Sequence, residues 1–381
     1  MKNNFSHKNK ALIKQGGFVK KLFILLVVFI AIALLISVSY SPGELEPLPE
    51  LPLAKDTLTI SPAEGMVSDD IYVPGTESLA ADEMRIIALG TGMPSSRPKQ
   101  AAACFLVELG NNEKFLFDIG SDCYSRINTQ EIPMNDLDKV FPTHLHVDHY
   151  GDLAALWLGG SAERTVPLRV WGPSGPEPEL GTAHALKLMQ EMYAWEIESR
   201  KGTPSEAGLK LEVNEFKYGH VNRIIYEENG VVIHSFPAAH GLDGSVSYTL
   251  TWKDLTFAFV GDTIPNQYWV EHTKGVDISI HESFLPSILL MEKQGFNVLE
   301  SLTVGTQGHT SPEQFGRVMQ MTKPRLALGY HFYNDADIAP EMRRRIRKTY
   351  NGDLALLQDF MAINVTKDNI RVRMVEGAFK N

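Results

Sequence analysis

The sequence predicts an α/β domain of two sheets sandwiched between helices, preceded by an N-terminal transmembrane or signal segment. Three observations carry this. Apolar runs of strand length dominate from Met84 to Val260, after Gly261 short strands alternate with helical stretches, and the chain opens on a lysine-rich leader followed by an unbroken apolar run. The expected organisation is a basic leader (1–21), a transmembrane or signal-anchor segment (22–40), a proline-rich connector (41–82) and one folded domain (83–381).

The leader carries Lys2, Lys8, Lys10, Lys14, Lys20 and Lys21, and no acid precedes Glu44. Leu22–Tyr40 is long enough to span a bilayer and longer than the roughly 7–15 apolar residues of a cleaved signal. Ser37 and Ser39 are small enough to flank a cleavage site. An uncleaved anchor is therefore expected, with a cleaved signal as the alternative. Positive residues stay on the cytoplasmic side, so either reading puts residues 41–381 outside the cytoplasm, in the periplasm if the source is Gram-negative.

Of the 381 residues 44% are hydrophobic and 22% charged, which suits a globular chain and argues against disorder. The net charge is −10, and without the six leader lysines the remainder stands at −16. Such a body repels phosphate backbones, so nucleic acid is not expected as a partner. Cys104 and Cys123 are too few for a disulfide framework and are read as buried small residues, with one bridge the most they allow. Pro42, Pro47, Pro49, Pro52, Pro62 and Pro74 make the connector semi-extended.

Strands are expected at Met84–Leu89, then at Phe105–Leu109 and Phe115–Ile119 around a Gly110-Asn-Asn112 hairpin turn, and at Lys139–Phe141 and Leu168–Trp171. Pro178–Arg200 has helical spacing. Strands follow near Leu209–Phe216, Arg223–Glu227, Val231–Phe236, Val246–Trp252 and Leu255–Val260. Beyond Gly261, short strands at Val276–Ile280 and Arg325–Gly329 alternate with helices near Asn266–Lys274, Ser311–Thr322 and Pro340–Tyr350. The chain closes on strands within Val365–Val375. Ser311-Pro-Glu-Gln314 has the form of a helix start. The basic run Met342–Lys348 reads as a solvated helix face, with an anion-binding or subunit contact as the alternative, so a homo-oligomer is left open.

The chemistry lies in Val140-Phe-Pro-Thr-His144-Leu-His146-Val-Asp148-His149. Four ionisable groups within six residues are costly to bury unless paired or bound to metal. His144 and His146 share one face of an extended segment, and Asp148 and His149 fall beyond a bend. This divides them between two adjacent metals, and Zn²⁺ suits imidazole and carboxylate ligands. His240, Asp262 and His331 each follow a strand and are candidate further ligands.

These motifs, together with Leu89-Gly-Thr-Gly92, Phe117-Asp-Ile-Gly120, Gly261-Asp262-Thr263, His281-Glu282 and Gly308-His309-Thr310-Ser311, resemble the metallo-β-lactamase superfamily. Within it they are similar to the ribonuclease Z and arylsulfatase-like branch, over roughly residues 84–335. The resemblance implies the αββα metallo-β-lactamase sandwich and two Zn²⁺, with other divalent transition metals as substitutes. It assigns His144, His146 and His240 to one ion, Asp148, His149 and His331 to the other, and Asp262 to both. It implies a metal-bridging hydroxide as nucleophile, with Asp148 accepting the water's proton. His309 would protonate the leaving group and Glu282 would orient it. His281 is expected to be structural.

One departure stands out. Ribonuclease Z grips tRNA with a long arm between the positions of His240 and Asp262, and the short interval here leaves no room for one. The expected function is therefore hydrolysis of a small-molecule phosphate or sulfate ester. The alternatives are a ribonuclease Z-like endonuclease and a non-catalytic, membrane-anchored metal-binding protein.

Overall fold

The computed structural model describes residues 59–60, 70–95 and 97–376. The leader 1–21 and the apolar segment 22–40 lie outside them. Among the described residues no helix is long and apolar enough to cross a membrane.

A two-residue strand, β1 (Thr59–Ile60), comes first and pairs in parallel with Leu354–Ala355. The following strands are β2 (Met84–Gly90), β3 (Cys104–Leu109), β4 (Lys114–Phe117), β5 (Lys139–Phe141), β6 (Leu168–Pro173) and β7 (Leu211–Phe216). Then come β8 (Arg223–Glu228), β9 (Val231–Pro237), β10 (Val246–Trp252), β11 (Leu255–Val260), β12 (Ile278–Glu282), β13 (Leu326–Tyr330) and β14 (Leu354–Leu356). The last are β15 (Met361–Val365) and β16 (Ile370–Met374). They form two eight-stranded sheets, ordered β16-β15-β2-β3-β4-β5-β6-β7 and β1-β14-β13-β12-β11-β10-β9-β8. Each sheet combines antiparallel strands with a parallel run, β4 to β7 in one and β11 to β14 in the other.

Strand periodicity sorts the side chains. In β2, Ile86 and Ala88 enter the layer between the sheets while Ile87 and Leu89 enter the layer under the helices, as a period of two requires. A strand covered on both faces is apolar throughout, and β2 is buried along its whole length. The layer between the sheets is aromatic. Phe105 meets Phe259 and Tyr330 at 5.1 Å each, Phe117 meets Phe257 at 5.0 Å, and Phe141 stacks on Trp171 at 5.1 Å.

On one outer face lie α1 (Cys123–Asn128), α2 (Val147–Tyr150), α3 (Leu153–Gly159), α4 (Thr182–Met192) and α5 (Ala194–Ser199). Trp157 and Leu186 are its fully buried anchors. Cover for the second sheet comes from α6 (Gln267–His272), α7 (Ser287–Gln294), α8 (Val298–Thr303), α9 (Pro312–Thr322) and α10 (Ile338–Ile346), anchored by Trp269, Phe315, Met319 and Met342. Ser311 caps α9 with Pro312 first inside, and Ser311 and Gln314 exchange side-chain bonds with each other's backbone. The stretch expected as one helix over Pro178–Arg200 is broken, with Tyr193 between α4 and α5.

Two expectations change. Cys104 and Cys123 are buried but also disulfide-bonded, with Cα atoms 6.1 Å apart, because the start of β3 and the start of α1 lie side by side. The basic run is not simply solvated. Arg345 reaches Glu341 and Glu313, tying α10 to α9, and Arg347 donates to the carbonyls of Tyr350 and Gly352. Residues 70–82 pack along the first sheet: Tyr72 is buried against Arg85, and its N–H donates to the Met374 carbonyl at 2.9 Å.

Candidate metal centre

The parallel strands β4, β5, β11, β12 and β13 all end at one place, and the carboxyl ends of such strands are where loops can present side chains. After β5 the chain runs through Thr143 to His144 and His146, and His146 opens the short helix α2 that carries Asp148 and His149. Asp118, just past β4, fixes this turn. Its Oδ1 accepts the Thr143 N–H at 2.6 Å, and its Oδ2 accepts the Thr143 hydroxyl at 3.0 Å and lies 2.7 Å from His149 Nδ1. Close approach then demands glycine: a Cβ on Gly120 would stand 2.0 Å from the Asp148 carbonyl oxygen.

Asp262 follows β11, Glu282 ends β12, and His331 follows β13. His331 adopts left-handed backbone (φ 69°), strain of the kind held at functional sites. Its N–H donates to the Thr91 carbonyl at 3.0 Å. Thr91 is itself held by Asp359, whose Oδ1 accepts the Thr91 N–H (3.0 Å) and hydroxyl (2.7 Å).

The donor atoms fall into overlapping groups, each within 4.8 Å of one another: His144, His146, His240 and Asp262; Asp148, His149, Asp262 and His331; and Asp262, Glu282, His309 and His331. Asp262 belongs to all three. Outer hydrogen bonds aim the rings. Thr143 Oγ1 lies 3.1 Å from His144 Nδ1, the Gly308 carbonyl 2.6 Å from His240 Nδ1, and Asp118 holds His149 Nδ1. The opposite nitrogens are turned towards the centre, as ligating imidazoles require. His144 Nε2, His146 Nδ1 and His240 Nε2 converge at separations of 3.0 and 3.2 Å.

The cluster fits a cation. His149 Nε2 and Asp262 Oδ1 are buried with no hydrogen-bond partner yet lie 3.2 Å apart, and buried polar atoms are rarely left this way without a ligand. Burial would raise the Asp148 carboxyl, but His149 and His331 outweigh it and hold the group below the usual carboxylate range. For His149 burial is overcome by Asp262, Asp148 and Asp118, which raise it. Glu282 is pushed well up by burial and by Asp262.

His309 stands at the edge of this cluster. Its Nδ1 is 2.9 Å from Glu282 Oε2, and its ring stacks on Phe284 at 3.8 Å. Glu282 Oε1 in turn accepts the Thr263 N–H. The cap of α9 is Ser311, not His309. His281 turns away, its Nδ1 on the Glu282 carbonyl and its ring against Trp269, and burial lowers it to about 4. All nine residues singled out in the sequence as ligands or catalytic groups, with Asp262 shared among them, therefore meet in one cluster. The sequence reading left the roles of Asp118 and Asp359 unassigned. Asp118 was visible within Phe117-Asp-Ile-Gly120, whereas nothing in the local sequence marks Asp359.

The model of the Metallo-beta-lactamase superfamily matches residues 97–299, more than half of the chain. The chain belongs to the metallo-β-lactamase superfamily. It is a metal-dependent hydrolase of that superfamily, whose members usually bind divalent metals such as zinc. Ribonuclease Z of Mycobacterium marinum is 27% identical over 205 residues, 52% of this chain and 70% of that protein. Ribonuclease Z of Mycobacterium sp. (strain KMS) is 28% identical over 189 residues, 48% of this chain and 62% of that protein. Among solved structures, human tRNase Z, short form, aligns with a TM-score of 0.54 at 18% identity, covering 73% of this chain and 98% of that one. The metallo-beta-lactamase fold protein YhfI from Bacillus subtilis gives 0.54 at 15%, covering 74% and 100%.

These relatives correct one expectation. An acidic body was taken to make nucleic acid an unlikely partner, yet the relatives matched are ribonucleases. Net charge is a property of the whole surface, while a phosphodiester is engaged locally, where cations held by the cluster would set the potential.

Proposed function

We propose that the protein is a binuclear zinc-dependent phosphodiesterase. One observation carries this reading: Asp262 is common to both of the main donor groups, the geometry that lets one carboxylate hold two ions side by side. The ions would supply Lewis acidity and an acidified water near neutral pH. His144, His146 and His240 would hold one ion and Asp148, His149 and His331 the other. Asp148, whose Oδ2 lies 3.4 Å from His149 Nε2 and 3.2 Å from His331 Nε2, would accept the nucleophile's proton on its carboxylate. His309 is oriented by Glu282 through Nδ1, which leaves Nε2 to protonate the departing oxygen. Ribonucleic acid stands among the candidate substrates on the strength of the relatives.

Metal analysis and turnover test the proposal together. Purified protein supplied with zinc is expected to hold two ions and to hydrolyse bis(p-nitrophenyl) phosphate, and a precursor tRNA with a 3′ trailer tests the RNA arm. Folded protein with at most one ion, or with two ions and no phosphodiester hydrolysis, overturns it.

The catalytic body is proposed to lie outside the cytoplasm, anchored through residues 22–40. The lysine-rich leader supports this, as does the Cys104–Cys123 disulfide, a bond that persists in oxidising compartments. A reporter active only in the cytoplasm, fused after Asn381, is expected to stay silent; a strong signal refutes the topology.

A further inference from the structure

A cavity of about 280 Å³ opens beside His144, His146 and His240. Its remaining walls include Leu145, Pro173, Leu180 and Leu242, with Glu179 and Asp243 at the side. Among the described residues no lysine or arginine lines it. Leu180 and Leu242 are 49% and 60% exposed. Large aliphatic groups bared around a polar centre mark a ligand groove rather than core packing. The presenting loop is also built for the task. Leu242 and Asp243 sit between Gly241 and Gly244, both at positive φ (43° and 130°), so the backbone is held in a turn that other residues would resist. Leu180 arrives from the opposite side, on the short turn before α4.

We infer that this cavity is the subsite for the substituent that the substrate retains after cleavage, and that this substituent is uncharged and apolar. The inference rests on the phosphodiester reading. The cavity adjoins the histidines of one ion, and His309, whose ring stands 4.9 Å from that of His240, is not among its lining residues, so a departing oxygen placed at His309 leaves the cavity to the other substituent. A methylene placed against Leu180, Leu242 and Leu145 leaves water. A second phosphate there would meet Glu179 and Asp243 with no lysine or arginine of the described residues in the wall to pair with it. An alkyl chain and the face of a nucleobase share this chemistry.

The test uses zinc-loaded protein and p-nitrophenyl phosphodiesters whose second ester group is methyl, butyl or hexyl, with thymidine 5′-(p-nitrophenyl phosphate) as a separate arm. The kcat/KM is expected to rise with chain length by up to about 4-fold per buried methylene. Calorimetric binding of methyl-, butyl- and hexylphosphonate should show the same trend without turnover. The double variant Leu180→Ala/Leu242→Ala should flatten both series. A gain for the alkyl series assigns an alkyl source, and a gain for the nucleoside ester alone assigns a nucleobase; both support the subsite. Tighter binding of longer phosphonates without hydrolysis of any ester keeps the subsite and removes the phosphodiesterase reading. Series flat in rate and in binding, with no gain for the nucleoside ester, overturn the inference.

Discussion

Replacing Asp118 by asparagine tests how this centre is held in register. The change keeps shape and volume but substitutes an NH₂ for one oxygen. Asp118 receives three donors: the Thr143 N–H at 2.6 Å, the Thr143 hydroxyl at 3.0 Å, and His149 Nδ1 at 2.7 Å. With the NH₂ facing His149, two N–H groups oppose each other unless the ring moves its proton to Nε2. That atom points at Asp262, 3.2 Å away, and a protonated nitrogen cannot ligate. With the amide flipped, the clash moves to the Thr143 N–H. Loss of such an orienting partner typically costs about 10–100-fold in metal affinity, or about 1.4–2.7 kcal/mol. Competition between apoprotein and a chromophoric chelator for zinc measures it. One ion should weaken by that factor in Asp118→Asn, while the ion of His144, His146 and His240 changes only a few-fold. A folded variant that holds both ions at wild-type affinity refutes the reasoning.

His309→Ala should keep its metals and slow hydrolysis on the order of 10²–10⁴-fold, with a smaller loss for nitrophenyl leaving groups, which depart without a proton. Equal losses for good and poor leaving groups, measured in kcat, would remove the proton-donor role. Gly120→Ala drives a Cβ to 2.0 Å from the Asp148 carbonyl oxygen and 2.8 Å from Ala102 Cβ, so metal content and melting temperature should both fall; wild-type values in both exclude that contact as a constraint. Burial raises Asp359 to about 7, above its unfolded value of about 3.9. The folded state then binds the extra proton between those values, so this contribution is full below about pH 4 and lost as pH rises through about 7. The decline in melting temperature over that range should be shallower in Asp359→Asn, and identical pH profiles for the two proteins count against it.

Much of this was legible in the sequence because it is local. Lys139–Phe141 and the histidines after it form one continuous signal, and Ser311-Pro-Glu-Gln314 states a helix start in four residues. The hairpin turn was equally plain: Asn112 takes the left-handed backbone (φ 67°) that Gly110-Asn-Asn112 suggested. What escaped is non-local. Asp359 pins the Thr91 turn across 268 positions, and no pattern of spacing announces such a pairing. The helices α1, α7 and α8 are six to eight residues long, too short for a clear period. The Cys104–Cys123 bond depends on two elements meeting in space. Total charge misled about nucleic acid because it averages over a surface on which only one cleft matters.

The shared Asp262 has a consequence for how the molecule comes together. His144, His146, Asp148 and His149 follow β5 of the first sheet, whereas His240, Asp262 and His331 follow β9, β11 and β13 of the second. No stretch of chain shorter than His144 to His331 contains every donor. Ions seated there would act as rivets across the seam between two separately hydrogen-bonded sheets. Tight metal uptake thereby becomes a proofreading signal, since it requires that both sheets have met in correct register.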